Sequence, residues 1–230
     1  MAALLWGPSM SAFSTARLKM VDGQVRTSDV TDIRIVDAML EVPREAFVPE
    51  NKRPLAYLDL DLDVTEGGSA RRFMIKPMVT AKLLQAAEIK ATDTVLVVGC
   101  ATGYAAALAA KLAGQVTATE TDPALAAKAK EVLAQLGLGS VTVRAADPAE
   151  GDPDGAPYDV ILLNGATEIV PDRLYGQLKD GGRLVGVFAM TQPQRATIVT
   201  RSHGHFGYRV LFDATVPVLP GMERRPAFVF

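Results

Sequence analysis

The stretch Val95-Leu96-Val97-Val98-Gly99-Cys100-Ala101-Thr102-Gly103-Tyr104 passes from an apolar run into a glycine turn, and a second apolar run, residues 115–120, ends in Glu120. This order predicts a strand, a loop, a helix and a second strand that together bind a nucleoside. Gly99 allows a sharp turn off the strand because it has no Cβ, and Gly103 allows the helix to begin close to a ligand. Glu120 lies about 20 residues past the glycines, where a carboxylate can accept both ribose hydroxyls.

The composition indicates a globular protein. The chain has 230 residues, of which 49% are hydrophobic and 22% charged, and this suits one domain with a sizeable core. A net charge of -2 gives no general attraction to nucleic acid or to an anionic membrane. No apolar run reaches the roughly 18 residues of a membrane helix, and residues 1–16 lack the basic start of a signal peptide. Cys100 is the single cysteine, which excludes an internal disulfide and predicts a reducing, cytoplasmic location.

Regular alternation of strands and helices begins at Thr94. Two late apolar runs predict an antiparallel hairpin at the edge of the sheet. The expected fold is therefore α/β, with a doubly wound, mostly parallel sheet and an antiparallel C-terminal hairpin. This ending is typical of S-adenosylmethionine methyltransferases, whereas a nicotinamide-binding fold usually ends in further parallel strands. The predicted strands cover residues 94–98, 115–120, 141–143, 158–163, 183–188, 196–201 and 208–212.

The chain is predicted to consist of a loosely ordered extension over residues 1–19 and a single domain over residues 20–230. Residues 20–75 form an N-terminal cap of helix and strand, and residues 76–230 form the α/β core. In the cap, residues 58–64 alternate leucine or valine with aspartate, which predicts an exposed strand. A helix begins at Pro77, since proline suits the first helical position.

Five segments carry a family resemblance. They are residues 37–49 (DAMLEVPREAFVP), 55–57 (LAY), 98–104 (VGCATGY), 157–161 (PYDVI) and 178–185 (LKDGGRLV). In this order they resemble protein-L-isoaspartate O-methyltransferases over roughly residues 20–190. The resemblance implies methyl transfer from S-adenosylmethionine to the side-chain carboxylate of an L-isoaspartyl residue in a damaged protein or peptide. A carboxylate with a pKa of about 4 is already ionised at neutral pH, so no general base is needed.

The resemblance also implies which residues hold the cofactor. Glu120 holds the ribose, and Ala146 and Asp147 hold the adenine, although Asp147-Pro148 is also an ordinary turn signal. Asn164, at the end of the fourth strand, either faces the crevice or forms a turn. Tyr104 packs either over the cofactor or in the core. The full set of predicted cofactor-binding residues is Gly99, Cys100, Ala101, Thr102, Gly103, Tyr104, Glu120, Thr121, Ala146, Asp147 and Asn164.

The acceptor side is predicted just before Pro77. Arg71, Arg72 and Lys76 either attract an anionic substrate carboxylate or form a solvated basic loop. No catalytic residue is assigned, and no metal site is predicted, because His203 and His205 have no cysteine or carboxylate ligands nearby in sequence. The predicted substrate-side residues are Arg72, Phe73, Met74, Ile75 and Lys76.

Three positions depart from the family's pattern. Val97 replaces an acidic residue, Ala101 replaces the middle glycine of the loop, and Ile75 replaces a serine whose hydroxyl contacts the reacting centre. These departures support two rival hypotheses: a relative that binds the cofactor as a regulatory or interaction module, and a methyltransferase for another acceptor such as a small acid. A nicotinamide-dependent oxidoreductase is disfavoured by the hairpin ending. The sequence leaves the oligomeric state open.

Overall fold

The computed structural model describes residues 10–66 and 70–224, and within them a seven-stranded sheet forms the centre of the molecule. Two short strands, β1 (Leu62–Asp63) and β2 (Phe73–Met74), pair antiparallel in a separate small sheet. The strands of the main sheet are β3 (Thr94–Val98), β4 (Gln115–Glu120), β5 (Thr142–Ala145), β6 (Tyr158–Thr167), β7 (Leu178–Phe188), β8 (Arg195–Ser202) and β9 (His205–Asp213).

The order across the main sheet is β5-β4-β3-β6-β7-β8-β9. Strands β3 to β7 run parallel, whereas β8 and β9 are antiparallel. The predicted fold class is therefore confirmed. Val98 pairs with both Thr119 and Leu163, so β3, β4 and β6 end at one level. Ligands of open α/β sheets bind outside this carboxyl edge.

Two helices, α3 and α5, begin where the sequence signals predict. Asp122 caps α5, because its Oδ1 accepts from the N–H groups of Ala124 at 2.8 Å and Leu125 at 3.2 Å. Pro77 is the first residue of α3, as predicted. Within residues 10–66 and 70–224 the α-helices are α1 (Met10–Met20), α2 (Ile33–Glu41), α3 (Pro77–Ala87), α4 (Tyr104–Ala110), α5 (Pro123–Gln135) and α6 (Asp172–Gly176).

The alternating segment at residues 58–64 differs from its prediction as an exposed strand. Only its last part, β1, is a strand, and Leu58 and Leu60 lie in a turn. Asp61 Oδ1 accepts from the Lys76 N–H at 2.8 Å, and Asp59 Oδ1 accepts from the Met78 N–H at 3.4 Å. The two aspartates thus accept hydrogen bonds from backbone amides at the start of α3, which have no partner within the helix. In an exposed strand, these carboxylates would have pointed to solvent.

Residues 10–19 of the N-terminal extension also differ from their prediction as loosely ordered. Residues 1–9 lie outside the described residues, but the chain is helical from Met10 onwards. Arg17 anchors this helix, since its Nε donates to Tyr57 Oη at 2.9 Å and its Nη2 pairs with Glu45 at 3.2 Å. These partners lie 40 and 28 positions away along the chain, so no local pattern indicates them.

Two groups of buried side chains cover the faces of the main sheet. Val95 and Val97 belong to one group, and Leu96 and Val98 belong to the other, as expected when successive side chains of a strand alternate between faces. Leu219, from the stretch after β9, belongs to the second group. The described stretch that follows β9 therefore packs at the carboxyl edge, where a ligand is expected.

Candidate functional site

The loop between β3 and α4 carries the predicted cofactor-binding residues. Three of its residues have positive φ: Gly99 at 69°, Ala101 at 51° and Gly103 at 101°. A residue with a Cβ is disfavoured by roughly 1–2 kcal/mol in this left-handed region. Ala101 is therefore strained at the position where the family pattern has a glycine. The Cys100 N–H donates to the Thr119 carbonyl at 2.8 Å and fixes the loop against β4.

Glu120 ends β4, and its carboxylate is fully buried. Its Oε2 accepts from the Ala101 N–H at 2.6 Å. Its Oε1 accepts from the N–H groups of Thr121 at 2.9 Å and Asp122 at 3.2 Å. The carboxylate therefore joins the glycine loop to the turn after β4.

Arg72 also donates hydrogen bonds to both oxygens of this carboxylate. Its Nε lies 3.0 Å from Glu120 Oε1, and its Nη2 lies 3.1 Å from Oε2. The same Nη2 donates to the Gly99 carbonyl at 2.7 Å. Arg72 is 2% exposed and Glu120 is 0% exposed. The structure thus places Arg72, which is predicted on the acceptor side, beside Gly99 and Glu120. These predicted nucleoside-binding residues, with Asn164, are named here the nucleoside end of the site.

Residues 217–222, named here the C-terminal cover, lie over the neighbouring strand end. The Leu219 N–H donates to the Ala166 carbonyl at 2.9 Å, so the cover runs beside β6. A Cβ built on Gly99 would lie 2.5 Å from Leu219 Cδ2, and one built on Gly165 would lie 2.8 Å from it. The Leu219 side chain therefore fills the space above the glycine loop. Sequence reasoning missed Leu219, since a short apolar pair between Pro217 and Pro220 gives no ligand-binding signal.

The remaining predicted residues of this edge also come together. Buried Asn164 donates from Nδ2 to the Gly99 carbonyl at 2.9 Å. The Ala146 N–H donates to the Glu120 carbonyl at 3.1 Å, which holds the end of β5 beside the carboxylate. Asp147 is exposed, and its Oδ1 accepts from a backbone N–H two residues further on. Asp147 therefore shapes its own turn at the predicted adenine position.

Three residues at or next to the loop face the core. The Tyr104 ring packs against Phe47 with ring centroids 5.5 Å apart, and the Arg44 guanidinium lies 4.7 Å from its centroid. Thr102 Oγ1 donates to the Phe47 carbonyl at 2.6 Å. Cys100 is buried, and this burial raises the pKa of its thiol. Of the two roles open to Tyr104, the structure has core packing.

Arg44 is a site residue that the sequence reasoning missed. It is fully buried, and its Nη2 and Nε donate to the carbonyls of Ile75 and Ala56, each at 2.7 Å. Burial lowers the pKa of its guanidinium. Arg44 makes no ion pair with any carboxylate in residues 10–66 and 70–224. Its position after Pro43, at the end of a helix, suggests an exposed turn, so the sequence gives no sign that its guanidinium is buried.

The predicted acceptor segment is largely apolar and enclosed. Phe73 and Met74 form β2, and Ile75 is 3% exposed. Lys76 stays near the surface, with its Nζ 3.6 Å from Asp61. The Ile75 side chain thus presents no hydrogen-bonding group where the family pattern has a serine.

A cavity of about 610 Å³ lies between residues 46–53 and α5. It reaches Thr102 and Asp122, whereas Gly99, Glu120 and Asn164 do not line it. Open space therefore adjoins the outer side of the glycine loop, while the nucleoside end is closed.

In residues 10–66 and 70–224, no group of three or more histidine, cysteine, aspartate or glutamate side chains is arranged to hold a metal ion. None of the helices in that part has the length and apolar character needed to span a membrane.

A family model described as protein-L-isoaspartate(D-aspartate) O-methyltransferase matches residues 16–217. The chain belongs to this family. Protein-L-isoaspartate O-methyltransferase 1 of Rhodopseudomonas palustris (strain HaA2) is 40% identical over 193 residues, which cover 84% of this chain and 77% of that protein. The protein-L-isoaspartate O-methyltransferase of Koribacter versatilis (strain Ellin345) is 36% identical over 221 residues, covering 96% and 98%.

Solved structures support the same fold. One, titled protein-L-isoaspartate O-methyltransferase, has a TM-score of 0.79 at 24% identity, covering 89% of this chain and 66% of its own, just under two thirds. A putative protein-L-isoaspartate O-methyltransferase from Plasmodium falciparum, in complex with S-adenosyl-L-homocysteine, has a TM-score of 0.73 at 17% identity, covering 90% and 97%.

Enzymes of the protein-L-isoaspartate O-methyltransferase family use S-adenosylmethionine as their methyl donor. The conformation described above does not fit this cofactor. Both oxygens of Glu120 are engaged by protein donors, so neither is free for ribose hydroxyls. Leu219 fills the space above Gly99. The predicted residues of the nucleoside end lie together, but a bound nucleoside would require Arg72 and Leu219 to move.

Proposed function

We propose that the chain methylates the side-chain carboxylate of L-isoaspartyl residues in damaged proteins, with S-adenosylmethionine as the methyl donor. The observation that carries the proposal is the glycine loop joined to Glu120 through the Ala101 N–H, at the carboxyl edge of the parallel strands. Curated relatives 36% and 40% identical to this chain are named for this activity. The single, buried cysteine supports a reducing compartment such as the cytoplasm.

The proposed roles follow the position of each residue in the fold. Glu120 and Thr121 bind the ribose, Ala146 and Asp147 bind the adenine, and the glycine loop with Asn164 binds the remainder of the cofactor. The segment at residues 73–76 lines the acceptor side. No residue of this set acts as a general base, because the acceptor carboxylate is already ionised at neutral pH.

Calorimetric titration with S-adenosylhomocysteine, followed by a methyl-transfer assay, tests the proposal. The acceptor is a peptide with one isoaspartyl residue, and the matched control is the same peptide with an ordinary aspartyl residue. We expect binding, and methyl transfer to the isoaspartyl peptide alone. If the protein does not bind S-adenosylhomocysteine, the cofactor assignment is wrong.

A second candidate function is that of a family member without isoaspartyl activity, which serves as a regulatory module or acts on another acceptor. The apolar, buried side chain of Ile75 favours it, since it cannot replace the serine hydroxyl. This candidate predicts that S-adenosylhomocysteine binds and that no isoaspartyl peptide is methylated. Titration with NAD in the same preparation tests the oxidoreductase alternative, for which we expect no heat of binding.

A further inference from the structure

We propose that Arg72 is an affinity-determining residue that competes with the cofactor for the carboxylate of Glu120, an inference that rests on the proposed function. Glu120 lies where the ribose is expected, at the end of β4. The guanidinium of Arg72 already satisfies it, with contacts of 3.0 and 3.1 Å. Ribose hydroxyls and Arg72 require the same oxygen atoms.

The hydrogen-bonding capacity of Glu120 sets up this competition. A carboxylate has about four lone-pair positions. Three backbone N–H groups, from Ala101, Thr121 and Asp122, bind it, and the Nε and Nη2 of Arg72 bind it as well. The backbone donors are fixed by the loop and by the turn after β4. Arg72 is the one partner on a long side chain, so it is the group that ribose can displace.

Arg72 and the C-terminal cover meet at one point. A Cβ built on Gly99 would lie 2.8 Å from Arg72 Nη2 and 2.5 Å from Leu219 Cδ2, so both side chains lie against the same glycine. Nη2 also donates to the Gly99 carbonyl at 2.7 Å. When Arg72 leaves Glu120, it also leaves the glycine that the cofactor must approach. One movement therefore frees both the carboxylate and part of the loop.

The competition weakens cofactor binding through the population of the open state. A ligand that binds only the open state has an apparent Kd equal to its intrinsic Kd divided by the open fraction. The charged, buried pair favours the closed state, because its hydrogen bonds are charge-assisted and shielded from water. Removal of the guanidinium raises the open fraction and lowers the apparent Kd.

The test is calorimetric titration of S-adenosylhomocysteine into the full chain and into Arg72→Gln. We expect Arg72→Gln to bind at least about tenfold more tightly, as it would if the open fraction of the unmodified chain is about one tenth or less. Arg209→Gln removes the same charge from an exposed position on β9 and should bind like the unmodified chain. If Arg72→Gln fails to fold, Arg72→Lys keeps the charge without the forked contact, and its affinity should lie above that of the unmodified chain.

The other outcomes separate the two proposals. Equal affinity of the unmodified chain and Arg72→Gln overturns the role of Arg72 and leaves the proposed function standing. Weaker binding by Arg72→Gln also overturns it, because Arg72 would then contribute to the site. If none of the proteins binds S-adenosylhomocysteine, the proposed function fails, and the competition fails with it.

Discussion

The nucleoside end and the acceptor end of the site each contain a buried arginine, and the two arginines have different partners. At the nucleoside end, Arg72 is paired with the Glu120 carboxylate. At the acceptor end, Arg44 donates to two backbone carbonyls and stacks on Tyr104. Arg72 is bound to Glu120, the proposed ribose ligand, so under the proposed function a ligand would replace it. Arg44 is bound to the scaffold itself, and no ligand competes for its partners.

The comparison shows that the residues of a predicted binding motif can be present while their polar groups are already bound within the protein. At the nucleoside end, Arg72 binds the central carboxylate. At the acceptor end, Ile75 stands where the family's pattern is expected to have a serine, and Arg44 binds the Ile75 carbonyl. Substitutions at the two ends should therefore affect stability for different reasons.

The largest effect is expected for Glu120→Gln. The substitution leaves the Arg72 guanidinium buried without a carboxylate, and the new amide group faces N–H donors that it cannot accept from. Removal of one member of a buried pair costs about 3–5 kcal/mol. Urea unfolding followed by circular dichroism should show a loss of this size in the free energy of unfolding.

The double variant Arg72→Gln/Glu120→Gln is the control for this prediction. It removes both charges, so it should be more stable than Glu120→Gln alone, and the coupling between the two positions should be about 0.5–3 kcal/mol. Additive effects of the two substitutions would show that the pair does not act as a unit.

Arg44→Ala should have the next largest effect. It leaves the carbonyls of Ala56 and Ile75 without their donor, and each buried, unsatisfied group costs about 1–3 kcal/mol. We expect a loss of about 3 kcal/mol in urea unfolding. Arg34→Ala, at an exposed arginine, is the matched control and should cost less than about 1 kcal/mol. A loss below about 1 kcal/mol for Arg44→Ala would mean that relief from burying its charge offsets the lost bonds.

Leu219→Ala should be smaller in effect, because it removes apolar contacts only. Leu219 is fully buried above Gly99 and Gly165. Truncation of a buried leucine costs about 2–5 kcal/mol, and a site at the edge of the sheet can relax, so we expect about 2 kcal/mol. Leu60→Ala, at a residue that is 48% exposed, is the control and should cost well under 1 kcal/mol. Equal losses at the two leucines would argue that the cover is not packed on the glycine loop.

Much of the nucleoside end was predictable from local sequence. Hydrophobic runs, the glycine turn and the cap at Asp122 are signals between near neighbours, and the structure has β3, β4 and α5 where they indicate. Parallel pairing then brings Glu120 and Asn164 to the same edge without further information. The pairing of Arg72 with Glu120, which closes this edge, was not predictable. Arg72 and Glu120 are 48 positions apart, and their pairing depends on how the N-terminal cap packs on the sheet.

At the acceptor end, too, contacts between distant parts of the chain were not predictable from the sequence. The alternation at residues 58–64 predicts a strand, but Asp59 and Asp61 instead bind amides at the start of α3. Aspartate side chains readily accept hydrogen bonds from nearby backbone amides, and this competes with the regular pairing of a strand. Arg44 was missed because an arginine after a proline suggests an exposed turn. Its burial follows from carbonyls supplied by two separate segments, which no periodicity reveals.

The smallest predicted effect concerns the strained residue of the loop, and it tests whether the departure at Ala101 weakens the nucleoside end. Ala101→Gly relieves roughly 1–2 kcal/mol of left-handed strain. It also loses a buried methyl group, which contributes about 0.8 kcal/mol, and adds backbone entropy worth about 0.5–1 kcal/mol to the unfolded chain. These terms nearly cancel, so the free energy of unfolding should change by less than about 0.5 kcal/mol. Ala127→Gly, at an exposed position inside α5, has no strain to relieve and should cost about 1 kcal/mol. If Ala101→Gly cost as much as Ala127→Gly or more, the loop would hold alanine without strain. The substitution of the family's glycine would then be no obstacle to the loop conformation, and the closure by Arg72 would stand as the main difference at this end of the site.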